Sequence, residues 1–174
     1  LSLMKAIEIK GKRNIDKLNH VAIPKRIDAS QHTFNDDYYT HRLQIELVNK
    51  LFLCEEITDG KIVKQTINKK ISGYKSQDVQ KQLFDSIWFI SLDDVIERLV
   101  NSKLNCFYCR ENCQLLYKDC FAKKQWTLDR IDNSMGHNTN NVVICCLECN
   151  VKRGNMDSNR FKRGKEIKIV RKQF

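Results

Sequence analysis

Proline and glycine are scarce, with one proline (Pro24) and six glycines in 174 residues. Such a chain has little room for a flexible linker. Long apolar runs are missing too. Runs such as Ile87-Trp88-Phe89-Ile90 are short, far from the ~18 residues of a membrane-spanning helix, so no membrane partner is expected. Residues 1–10 lack the apolar core of a secretory signal. There is no internal repeat and no low-complexity tract.

Acidic residues are scarce in one half only. Residues 1–100 hold 16 basic and 14 acidic side chains, whereas residues 101–174 hold 15 and 7. The whole chain carries +10, and +8 of that excess lies in its second half. A basic half joined to a nearly neutral one is a common footprint for binding a polyanion; the plainer reading is a surface charged for solubility.

Cysteine is not scarce. Seven of the eight lie beyond residue 100, and only Cys54 precedes them. Without a secretory signal, this enrichment points away from a disulfide scaffold. It suggests metal-held thiolates in a reducing, intracellular compartment: cytoplasm, nucleus or virion. Cys106-Phe-Tyr-Cys109 and Cys146-Leu-Glu-Cys149 have the spacing that turns two sulfurs toward one ion. Two such knuckles complete a tetrahedral four-thiolate zinc site, structural because no coordination position stays open. Cys145 competes with Cys146 but would need a different turn. Cys113 and Cys120 have no partner at knuckle spacing, and Cys54 reads as a small buried apolar residue.

Residues 1–41 are weakly periodic and read as coil with short elements. From 43 to 54 the apolar spacing mixes helix and strand. Asp59-Gly60 is a turn signal before the alternating stretch 62–71, which allows a hairpin. Residues 77–90 place Val79, Leu83, Phe84, Ile87 and Trp88 at helical spacing. Ser91 suits the cap of a following helix with Leu92, Val95, Ile96, Leu99 and Val100 on its apolar face. Between the knuckles, 126–130 reads as a strand, 132–140 as a polar loop and 142–145 as a second strand. A short helix follows from about Leu147 toward Asn155.

This segment resembles the HNH endonucleases, whose ββα-metal (His-Me finger) motif has the same order of elements. The likeness is to the cysteine-stapled branch found among phage, giant-virus and restriction-type proteins, and it covers about 50 residues. Asp129 matches the family's metal-binding carboxylate, Asn141 the middle Asn that braces the loop, and Asn150 the third, metal-binding position. Gly73-Tyr-Lys-Ser-Gln-Asp78 is a weaker point of likeness. The resemblance implies a catalytic Mg2+ or Mn2+ ion on Asp129 and Asn150, and hydrolysis of DNA to 3′-hydroxyl and 5′-phosphate ends. Both residues offer hard oxygens suited to such an ion. Taken singly, Asp129 reads equally well as a carboxylate paired with a nearby cation, and Asn150 as a helix cap.

One position departs from the family. The general-base His that usually follows the metal-binding Asp is Arg130 here. A guanidinium stays protonated and serves to clamp phosphate, not to take a proton. The candidates for activating water are His137 and Tyr108. Residues 151–174 hold nine basic side chains. Among them Lys152, Arg153, Arg160, Lys162 and Arg163 are the expected phosphate contacts.

The expected fold is therefore α+β. Residues 1–100 form a mixed, mostly helical region of unassigned role, 101–158 a zinc-stapled HNH module, and 159–174 a basic tail. The expected function is metal-dependent phosphodiester hydrolysis in DNA, with RNA left open as a partner. The competing expectation is a non-catalytic zinc module that binds nucleic acid or serves as a structural subunit. Oligomeric state is not legible in the sequence.

Overall fold

The computed structural model describes residues 34–167, together with Ile15, Leu18 and Asn19. The chain divides into two units, Leu1–Ser30 and Gln31–Phe174. In the first, the Asn19 amide donates to the Ile15 carbonyl at 3.0 Å, one turn of helix. The coil reading of residues 1–33 lies otherwise outside the described residues, as do the tail cations Lys168, Arg171 and Lys172.

Among the described residues of the second unit, five α-helices and a two-stranded antiparallel sheet give an α+β fold. A short 3-10 turn, Asp36–Tyr39, leads into α1, His41–Phe52. Helix α1 buries Gln44, Leu47, Val48 and Leu51 along one stripe. Helix α2, Gly60–Gln80, replaces the hairpin expected for 62–71. Its β-branched residues suit either structure, but Val63, Ile67 and Ile71 are buried while the positions between them are not. Tertiary burial at helical period overrides the strand propensity.

Helix α2 also stops earlier than the apolar spacing of 77–90 suggests. Leu83 N donates to Asp78 O at 2.8 Å and Gln82 N to Val79 O at 3.1 Å, with Gln82 left-handed at φ 57°. That is a Schellman ending without glycine. Val79, Ile87 and Trp88 are consequently exposed, not core.

Helix α3, Leu92–Ser102, starts where Ser91 predicts. The Ser91 hydroxyl accepts from Asp94 N, and the Asp94 carboxylate accepts from Ser91 N. A reciprocal cap of this kind contributes roughly 0.5–2 kcal/mol. Val95, Ile96 and Leu99 face the core.

Strands β1, Trp126–Arg130, and β2, Val142–Cys146, pair so that Asp129 lies opposite Val143. Helix α4, Leu147–Arg153, follows β2 with Cys146 as its N-cap. The expected basic tail begins as a helix, α5, Ser158–Glu166, capped by Asp157 accepting from Arg160 N at 2.8 Å.

The hydrophobic core runs without a break from Leu47 of α1 through Leu99 of α3 to Ile144 of β2. Gln44 shows the continuity. Its buried amide donates to the Tyr38 and Leu116 carbonyls, and its Oε1 accepts from Leu115 N at 2.7 Å. Residues 34–100 are therefore packed with the cysteine-bearing segment in one unit, with no boundary at Asn101. Cys54 is exposed in a left-handed turn (φ 56°), which corrects its reading as a buried apolar residue.

Candidate metal centre and Asp129 clamp

The first knuckle is the tip of a loop closed by an Asn105–Asn112 bridge. Cys106 N donates to Glu111 O, and Arg110, at φ 62°, turns the chain so that its amide reaches Cys106 O. The second knuckle takes Cys146 from the end of β2 and Cys149 from the first turn of α4. The sulfurs of Cys106, Cys109, Cys146 and Cys149 all lie within 4.8 Å of one another, and Cys109 and Cys146 are 4.0 Å apart. Zn–S bonds of about 2.3 Å in a tetrahedron would place sulfurs about 3.8 Å apart, so the cluster has the dimensions of a zinc cage.

The donor chemistry agrees. Burial, then the neighbouring Cys106 thiolate, push the Cys149 thiol up to about 12, and contact with Cys106, then burial, push Cys146 up as well. Four thiolates can coexist there only around a cation. Cys145 is buried against the Thr127 hydroxyl at 3.3 Å, outside the cage. Cys113 and Cys120 are not members of the cluster either.

Asp129 is 5 % exposed near the end of β1. The Tyr108 hydroxyl donates to its Oδ2 at 2.7 Å, and Arg153 Nη1 donates to its Oδ1 at 2.7 Å. Tyr108 also meets Ser158 Oγ at 3.1 Å, and Arg153 Nη2 donates to Ile131 O at 3.0 Å. The clamp thus joins the first knuckle, β1, α4 and the start of α5. Burial raises the Asp129 carboxyl, opposed by Tyr108 and Arg153. Burial, then the bond to Asp129, raises the Tyr108 phenol. Arg153 is 3 % exposed, so the expected phosphate contact is a buried counter-ion instead. The basic run of the sequence did not reveal that Arg153 faces inward, one helical turn beyond Cys149 and Asn150.

Asn150 lies on the same helix. Its Nδ2 donates to Thr127 Oγ1 at 3.1 Å and to Leu128 O at 3.2 Å, pinning α4 to β1. Among the described residues its Oδ1 accepts no hydrogen bond. Mg2+ or Mn2+ wants several oxygens in near-octahedral array. Here both Asp129 oxygens are engaged, and a guanidinium already neutralises that carboxylate. A divalent ion on Asp129 and Asn150 would have to share that carboxylate with Arg153 and Tyr108, and the arrangement lends it no support.

Asn141 braces the loop between the strands from both ends of its amide. Its Oδ1 accepts from Asp132 N at 2.9 Å, and its Nδ2 donates to Asp132 O and Gly136 O. Arg130 donates to the Met135 carbonyl at 3.1 Å, so its guanidinium supports the same loop.

His137 is not a solvated loop residue. It is 5 % exposed, and its ring lies 4.5 Å from that of Tyr74, centroid to centroid. Asp78, fully buried at the end of α2, binds His137 twice: Oδ2 accepts from the backbone amide at 2.6 Å and Oδ1 meets Nδ1 at 2.8 Å. Burial lowers the His137 pKa, against the opposing pull of Asp78. Gly136 is required beside them, since a Cβ there would stand 2.4 Å from Leu83 O. The sequence signal for Asp78 was faint: a lone acid in register with the apolar stripe of Val63, Ile67, Ile71 and Tyr74.

No family model matches this chain, and neither does any curated protein or solved structure. No helix among the described residues is long and apolar enough to cross a membrane.

Proposed function

We propose that this chain is a zinc-stapled nucleic-acid-binding module built on the ββα-metal plan of the HNH proteins, with its acidic centre closed by Arg153. The observation that carries this reading is a set of unneutralised cations on α5. Among the described residues Arg160, Lys162, Arg163 and Lys165 meet no carboxylate, and Arg160, Arg163 and Lys165 are exposed. Lys152 of α4 is the exception, paired with Glu148 at 2.7 Å. Cations displayed without acidic partners are suited to a phosphate backbone and would release its counter-ions on binding. Zinc would hold the two knuckles and so fix where α4 and α5 start.

A second reading, metal-dependent hydrolysis of DNA, is favoured by one specific observation: the free Oδ1 of Asn150 on the helix that also supplies Arg153. Asn141 bracing the loop, as the family's middle Asn does, is consistent with either reading. The absent family His and the engaged Asp129 favour binding without cleavage.

One experiment separates the two readings. Supercoiled plasmid is incubated with zinc-loaded protein and Mg2+ or Mn2+, and DNA retention is measured in parallel. Binding without nicking is the expected result. Nicking that disappears in an Asp129→Asn variant still folded and zinc-loaded would establish the second reading, and failure to retain DNA at low salt would overturn the first.

A further inference from the structure

We infer that the cleft between the end of α3 and the first knuckle receives an unpaired nucleotide of a bound strand. This rests on the nucleic-acid-binding reading and adds a site to it. The cleft has a volume of about 430 Å³ and is lined by Arg98, Asn101, Ser102, Asn105, Phe107 and Arg110, with Val143 and Ile144 of β2. That is the size of pocket that takes a small organic ligand.

The lining has a distinct chemistry. It holds two guanidiniums, two primary amides and a hydroxyl, with an aromatic ring and two aliphatic side chains, and no carboxylate. Lys162 Nζ lies 4.3 Å from the centroid of the Phe107 ring, and Arg110 Cζ lies 5.8 Å from it. The cations on α5 therefore continue to the mouth of the cleft. Asp94 feels the Arg98 charge, but its carboxylate is engaged by Ser91 and Thr139. Arg98 itself donates to the Thr139 carbonyl, which fixes it in place. The C-terminal end of α3 disfavours an anion, but that effect falls off within the last turn and is smaller than the pull of two or three cations.

A purely electrostatic contact with duplex backbone needs neither an apolar floor nor amide side chains. An unpaired nucleotide uses all three features. Its phosphate meets Arg98 and Arg110, its base edge meets the amides of Asn101 and Asn105, and its base face meets the apolar wall.

The test compares a labelled single-stranded oligodeoxynucleotide with its own duplex by fluorescence anisotropy at fixed salt. The variant is Asn101→Ala combined with Arg110→Gln, two exposed positions outside the core, and zinc content checks that it is folded. A parallel variant, Arg160→Gln with Arg163→Gln, reports on general backbone binding. The expected result is roughly tenfold weaker single-strand binding in the cleft variant, the size of one lost charge-assisted hydrogen bond, with duplex binding little changed. Equal single-strand affinity in variant and parent would overturn the cleft. A parent that binds only duplex would overturn it too, leaving the proposed function intact. A parent that binds neither would remove both.

Discussion

Arg153 and Asp129 meet at 2.7 Å beneath the surface, where the guanidinium and the Tyr108 hydroxyl take one carboxylate oxygen each. A buried charge pair of this kind is costly to break from one side. Arg153→Met should destabilise the protein by about 3–5 kcal/mol, because Asp129 loses its counter-ion and must either stay charged while buried or take up a proton. Combining it with Asp129→Leu should recover much of that loss. Urea denaturation of the single and double variants measures the coupling. Additive losses would show that the two side chains do not depend on each other.

Zinc should copurify at about one ion per chain, as a four-thiolate cage requires. Cys106→Ser or Cys149→Ser should lose the metal and unfold the knuckles, while Cys54→Ser and Cys120→Ser should retain it. Elemental analysis of folded protein decides the matter, and a metal-free folded chain would refute the cage.

The buried His137 gives the fold an acid limit. Its folded pKa lies below the ordinary imidazole value of about 6.5. The unfolded chain therefore takes up the proton first as pH falls. The stabilisation is complete above about 6.5 and is lost as pH drops through the lower folded value. Zinc release contributes in acid as well, so the informative quantity is a difference. His137→Gln should flatten the loss of stability between neutral pH and pH ~5 relative to the parent, at unchanged zinc content. Identical slopes would mean that His137 titrates alike in both states.

Replacing Arg160 and Arg163 with Gln should weaken binding to all DNA sequences alike and reduce the salt slope by about two phosphate contacts' worth. Filter binding across a salt series checks this. An unchanged slope would place the phosphate grip elsewhere on the chain.

What the sequence made legible follows from the range of the interactions concerned. The two knuckles, the strands flanking the loop and the Ser91 cap depend on neighbours a few residues away, and their spacing survives in the linear chain. The Asn141 brace spans nine residues or fewer and was expected from the resemblance. Helix α2 was misread because Ile62, Val63, Thr66, Ile67 and Ile71 suit a strand when their burial is unknown. Arg153 was misread because a run of cations gives no sign of which one turns inward. The Asp78–His137 pair joins residues 59 apart, and no local pattern announces such a contact.

The three hydrogen bonds of Gln44 bear on how this protein can be cut and recombined. A cassette beginning at residue 101 would carry both knuckles and every zinc ligand, and would look self-sufficient on paper. It would leave behind the amide that satisfies Leu115 N and Leu116 O, along with the aliphatic stripe of α1. Fusions or truncations made at that apparent seam should therefore yield insoluble metal-loaded fragments.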